Sequence, residues 1–132
     1  GSAGGAQRSS RNRKRLMGSI GYAWQKTYEA IRMLVGEGSI KKRLEYAASG
    51  LLWVDPEDLP NEESRRRFVG IKRSLTKDKP DPDEGSIHAT ISGMSEQQAE
   101  ELAQEILTLF MEVSNRYDLD TASERKVGDG EA

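Results

Sequence analysis

The stretch from residue 96 to residue 117 carries the longest apolar pattern in the chain, and its spacing fits one regular structure. Its apolar residues recur at intervals of three and four, which places them on one face of an α-helix. A capping box precedes the stripe, because Ser95 can accept from the backbone N–H of Gln98 while the Gln98 side chain reaches back. The pattern predicts a helix of about six turns. The stripe consists of Ala99, Leu102, Ala103, Ile106, Leu109, Phe110, Val113 and Tyr117.

Shorter stripes with the same spacing precede this helix and predict three or four more helices. The first begins near Tyr22 and ends at the glycines of residues 36–38, and Ser39 is a suitable N-cap for the second. Pro60 suits the first position of the third helix, which carries a narrow apolar stripe. A short helix ends at Gly93. The core residues that these stripes predict are Trp24, Ile31, Leu44, Leu51, Phe68, Ile71, Ile106, Phe110 and Val113.

These helices predict an all-α fold, a single compact helical bundle of four to five helices with disordered termini. No stretch alternates apolar and polar residues as a strand would. We expect the helical domain to span residues 15–117. Residues 1–14 are expected to form a flexible basic arm, whose start is typical of a cloning remnant, and residues 118–132 a flexible acidic tail with almost no large apolar residue.

Charge is divided unequally along the chain. Residues 1–79 hold 17 Lys and Arg against 9 Asp and Glu, whereas residues 80–132 hold 3 against 13. An asymmetry between halves indicates either a charged partner or two halves that neutralise each other within one fold. The sequence leaves both interpretations open.

The candidate partner-binding residues are one tryptophan and five cations. Trp53 stands where the second helix ends, so it either covers the core or anchors a partner, as tryptophans do at binding hot spots. Arg65 and Lys72 lie at heptad spacing on the third helix and form a cationic stripe with the more distant Lys79. The remaining candidates lie in the basic arm: Arg13, Lys14 and Arg15.

The sequence offers little catalytic or metal-binding chemistry. His88 is the only histidine and stands beside the acidic residues 81–84, where a structural role in a helix start is favoured over acid–base catalysis. Those acids fail the order of ligands that an EF-hand requires. The chain has no cysteine and no phosphate-binding glycine loop. We therefore expect neither an enzyme, a metal site nor a bound cofactor.

The sequence thus favours a small non-catalytic helical protein that acts as an accessory or regulatory module by binding another protein. Acidic helices and unequal charge favour electrostatically steered docking. The alternative is a nucleic-acid-associated protein that uses the basic arm and the cationic third helix. No apolar run is long enough to cross a bilayer, and no signal-peptide core is present, so we expect a cytoplasmic protein without membrane contact.

Overall fold

The structure, a computed structural model, describes residues 20–77, 79 and 82–131, with side chains through residue 122. Over these residues the chain is all-α and contains no strand, and its helices form a compact bundle, which confirms the predicted fold class. Five α-helices are present, together with a 3-10 helix at Pro56–Asp58. The α-helices are α1 at residues 20–34, α2 at Ile40–Leu51, α3 at Glu62–Thr76, α4 at Glu84–Gly93 and α5 at Glu96–Glu131.

Helix ends are set by capping side chains. Ser39 caps α2 as predicted, since its hydroxyl accepts from the backbone N–H of Lys42. The predicted capping box of α5 is also confirmed, with Ser95 and Gln98 exchanging hydrogen bonds of 2.9 and 3.1 Å. Gly38 closes the turn between α1 and α2 with a φ of +109°, which favours glycine.

The start of α3 differs from the prediction. Asn61, and not Pro60, adjoins the helix, and it forms a reciprocal capping box with the buried Ser64. Asn is among the strongest N-cap residues, because its side-chain oxygen satisfies a backbone N–H that has no helical partner. Proline instead occupies the first position of the 3-10 helix, at Pro56.

Helix α5 forms the central element of the bundle. It packs against α2 and α3, and α4 covers these two helices in turn. Helix α1 runs antiparallel to α5, because Gly21 approaches Tyr117 while residues 31–35 lie near residues 100–107. The backbone of α5 continues past Tyr117 to Glu131, whereas the sequence predicts its end near residue 117. The basic arm lies outside the described residues, and the flexibility of the tail stays a prediction.

Six of the nine predicted core residues are fully buried, and three are only half-buried. The half-buried residues are Trp24 and Ile31, which pack against the core, and Phe110, whose ring lies beside those of Trp24 and Tyr28. The buried face of α1 carries smaller side chains instead, at Ala23, Thr27, Ala30 and Leu34. Small residues allow two helices to approach closely, so the large side chains of α1 flank this contact. There Trp24 stacks between Tyr28 and Tyr117, with ring centroids 5.0 and 5.1 Å apart.

Candidate binding site

Trp53 is held at the end of α2 with its side chain directed to solvent. Leu51, two residues before it, and Val54, directly after it, are buried, and backbone hydrogen bonds fix the turn, from Trp53 N–H to the Gly50 carbonyl and from Val54 N–H to the Leu51 carbonyl. Because the neighbouring side chains occupy the core, that of Trp53 is left 78% exposed. The alternative that Trp53 covers the core is therefore wrong.

A cleft of about 540 Å³ opens beside Trp53, between the end of α2, α3 and the start of α4. Leu52, Pro82 and Ile87 give it an apolar floor, and Lys72 stands on its α3 wall. Two residues that the sequence singled out separately, Trp53 and Lys72, thus line the same cleft. An apolar recess with a few polar groups at its rim is the usual form of a binding pocket.

The α3 wall of the cleft continues into an exposed cationic stripe. Arg65 precedes Lys72 by seven residues, which is two helical turns or about 10 Å along the axis on nearly the same face. Val69 lies between them and is partly exposed. Arg65 and Lys72 are both exposed, and neither forms an ion pair with another residue in the described part of the chain. The stripe therefore offers two cations to a partner.

The α4 wall carries two acidic residues, Asp83 and Glu84. The Asp83 carboxylate caps α4 by accepting from the backbone N–H of Ser86 at 2.7 Å, and Lys79 lies 4.0 Å from it. These contacts with Ser86, and secondarily the charge of Lys79, hold the pKa of Asp83 below its ordinary value. Asp83 thus supports the start of α4 in its ionised form, and both Asp83 and Glu84 place negative charge on this wall.

Arg67 faces the opposite way and is neutralised by α5. Its Nε donates to Glu112 at 2.8 Å and one terminal nitrogen donates to Glu105 at 2.7 Å, while Glu63 lies 3.5 Å away. Hydrogen bonds to the two α5 carboxylates raise the pKa of Arg67. Consecutive helical residues point about 100° apart, so Arg65 and Arg67 serve different surfaces. The acidic helix therefore neutralises one cation of α3 and leaves the cleft stripe free.

His88 joins α4 to α2, and among the described residues its side-chain contacts are with Glu45 and Ser92 and not with Asp83 or Glu84. Its Nδ1 lies 2.9 Å from both carboxylate oxygens of Glu45, and its Nε2 lies 3.5 Å from the Ser92 hydroxyl. The imidazole is more than half exposed. An exposed interhelical contact of this kind agrees with the structural role favoured for His88. Among the described residues, no group of three or more His, Cys, Asp or Glu side chains is arranged to hold a metal ion.

The sequence identified part of the cleft and missed the rest. Trp53 and Lys72 lie at the cleft and Arg65 continues its wall, whereas Arg13, Lys14 and Arg15 lie outside the described residues. The apolar spacing of α2 and α4 indicates that Leu52 and Ile87 face the core, yet both also line the cleft. The sequence shows both as apolar residues near helix ends. Because α2 and α4 are far apart in sequence, it does not show that the two residues lie close together in the fold.

Comparisons of the chain with protein-family models, with curated proteins and with solved structures found no match. In the described part of the chain, no helix is both long and apolar enough to span a bilayer. The functional interpretation therefore depends on the geometry of the cleft.

Proposed function

We propose that this chain is a small non-catalytic helical module that acts as an accessory or regulatory subunit by binding a segment of another protein. The observation that carries the proposal is the exposed indole of Trp53 at the mouth of an apolar cleft. Tryptophan is enriched among the residues that dominate binding energy, and such residues act in pockets from which a partner excludes water.

The surroundings of Trp53 support a peptide ligand. The cleft lies between three helix segments, and its apolar lining suits one or two aliphatic or aromatic side chains. The turn that holds Trp53 is fixed by two buried neighbours and by backbone hydrogen bonds, so little ordering entropy would oppose binding. A preformed apolar pocket with an aromatic wall is a common way to recognise a short protein segment.

Selection from a displayed peptide library tests this proposal. A random library of peptides about twelve residues long, enough for three turns of a helix, is selected on the full chain. We expect clones whose binding weakens at least about tenfold on Trp53→Ala, because removing a hot-spot side chain costs more than 1–2 kcal/mol.

Tyr46→Ala provides the matched control for that experiment. Tyr46 is also an exposed aromatic residue of α2, but it lies beside His88 and away from the cleft. Selected clones should bind this variant as they bind the wild type. Clones that lose affinity equally on both variants, or an absence of any Trp53-dependent clone, would contradict the proposal.

The alternative function, binding to nucleic acid, draws on Arg65 and Lys72, two exposed cations that form no ion pair within the described part of the chain. Glu84 at the opposite wall opposes it, because a phosphodiester in the cleft would lie near that carboxylate. The test is a mobility-shift titration at ~150 mM salt. Submicromolar binding that is lost on mutating Arg13 and Lys14 would favour this function over peptide binding.

A further inference from the structure

The charges around the cleft identify the kind of segment that it accepts. We infer that the bound segment carries one apolar anchor and acidic side chains on the side that faces α3. This inference rests on the proposed protein-binding function and adds to it the chemistry of the partner. It follows from which charges of the cleft walls are already neutralised within the fold and which are not.

The α3 wall presents an uncompensated positive stripe. Arg65 and Lys72 are exposed, form no ion pair among the described residues and lie about 10 Å apart. Arg67, two residues further along the chain, shows the contrasting case, because its guanidinium forms ion pairs with Glu105 and Glu112. Two carboxylates of a partner placed about two helical turns apart would meet Arg65 and Lys72 together.

The α4 wall carries negative charge and lies across the cleft from this positive stripe. Asp83 is engaged by Ser86 and Lys79, and its carboxylate supports the helix start. Asp83 and Glu84 both place negative charge on the wall opposite Lys72, and Lys79 lies 4.0 Å from the Asp83 carboxylate. A segment with its acids toward α3 thus avoids Glu84, whereas a uniformly anionic polymer meets it. This difference favours an acidic peptide over a nucleic acid at this surface.

The apolar anchor follows from the floor of the cleft. Leu52 and Ile87 line the same cleft as Trp53, and their partial or full burial leaves a recess that is lined by hydrocarbon. An aliphatic or aromatic side chain gains hydrophobic burial there, while a sugar or a phosphate does not. The nearby cations then fix the direction in which the segment lies. Val69, between the two cations, extends this apolar contact along α3.

The test uses one synthetic peptide whose binding requires Trp53. It is prepared in three forms. The first keeps the selected sequence, the second replaces every Asp and Glu by Asn and Gln, and the third replaces the same positions by Lys. Affinity is measured by fluorescence anisotropy of the labelled peptide on the full chain. We expect the selected form to be acidic. We expect it to bind at least about tenfold more tightly than the Lys form, because the cations of α3 attract acidic side chains and repel lysines.

A pair of charge-reversed variants locates the effect. Arg65→Glu with Lys72→Glu reverses the cleft stripe, whereas Arg66→Glu with Lys42→Glu makes the same net change at exposed positions away from the cleft. We expect the first variant to prefer the Lys form and the second to behave as the wild type to within about threefold. Circular dichroism of both variants verifies that each remains folded.

The outcomes separate this inference from the proposed function. Trp53-dependent peptides that bind equally well in all three charge forms would overturn the inference and leave the proposed function standing. An absence of Trp53-dependent peptides would overturn both. An oligothymidylate of about 20 nucleotides that displaces the peptide at ~150 mM salt, and fails to bind the cleft-reversed variant, would assign the surface to single-stranded nucleic acid and overturn the inference.

Discussion

Replacing Arg67 measures how much the contact between the cationic α3 and the acidic α5 stabilises the fold. Arg67 joins three acids, but they differ in exposure: the Glu112 side chain is 17% exposed, whereas those of Glu105 and Glu63 are about half or more exposed. Exposed ion pairs contribute about 0–1 kcal/mol each to stability. A hydrogen bond to a charged group away from solvent contributes about 1.5–3 kcal/mol. Most of the effect should therefore come from Glu112.

We expect Arg67→Met to lower the free energy of unfolding by about 2 kcal/mol. Methionine retains much of the apolar stem of arginine, so the loss reports mainly the guanidinium contacts. For a folded unit of about 100 residues this corresponds to a Tm lower by roughly 10 °C. Urea denaturation monitored by far-UV circular dichroism gives the free energy, and the melting curve gives Tm.

A double-mutant cycle shows which acidic residue accounts for the stability that Arg67→Met loses. Combining Arg67→Met with Glu112→Gln should give a coupling of at least ~1 kcal/mol, and combining it with Glu105→Gln a smaller one. Arg66→Met, at the exposed neighbouring position, is the control and should change stability by less than ~0.5 kcal/mol. An Arg67→Met variant as stable as this control, with no coupling to Glu112, would refute the view that α5 neutralises α3.

Three further predictions follow from burial and capping. Phe68→Ala should cost about 3–5 kcal/mol, since Phe68 is fully buried between α3 and the core, and a loss below ~1.5 kcal/mol in urea denaturation would contradict that packing. Trp53→Ala should change the free energy of unfolding by less than ~0.5 kcal/mol, because its exposed ring can anchor a partner but contributes little to the core. Because the pKa of Asp83 is lowered in the folded state, its charge stabilises the fold above its ordinary pKa near 4, and this contribution is lost as the pH falls through the lower folded value. Asp83→Asn keeps the capping oxygen, so the Tm difference between wild type and this variant should shrink below about pH 4, and a difference constant from about pH 6 to 2 would refute the argument.

Helix content was predictable from sequence because it depends on neighbours along the chain. The Ser95 capping box, the Ser39 cap and the short helix that ends at Gly93 all follow from local spacing, and the structure confirms each. The prediction that α3 begins at Pro60 is wrong for a reason that is also local. Asn61 offers a better side-chain acceptor, and Pro56 already begins a 3-10 turn before it.

Exposure was harder to predict, because it depends on what packs across the bundle. The spacing of α1 groups Val35 with Leu34, yet Leu34 is buried and Val35 is 77% exposed. The sequence also cannot show that α2 and α4 lie side by side, so it identified Trp53 and Lys72 without the floor between them. The candidate site was therefore predictable as separate residues and not as a cleft.

Two different faces of α3 account for the unequal charge of the two halves in two different ways. The three successive residues Arg65, Arg66 and Arg67 point in directions about 100° apart, so one helix presents its cations to different surroundings. Arg67 is neutralised by α5, as expected if the halves compensate each other, and Arg65 remains available with Lys72, as expected for a charged partner. The two interpretations therefore apply to opposite faces of α3. Added salt should accordingly weaken peptide binding at the exposed stripe more than it weakens the half-buried contact between Arg67 and Glu112.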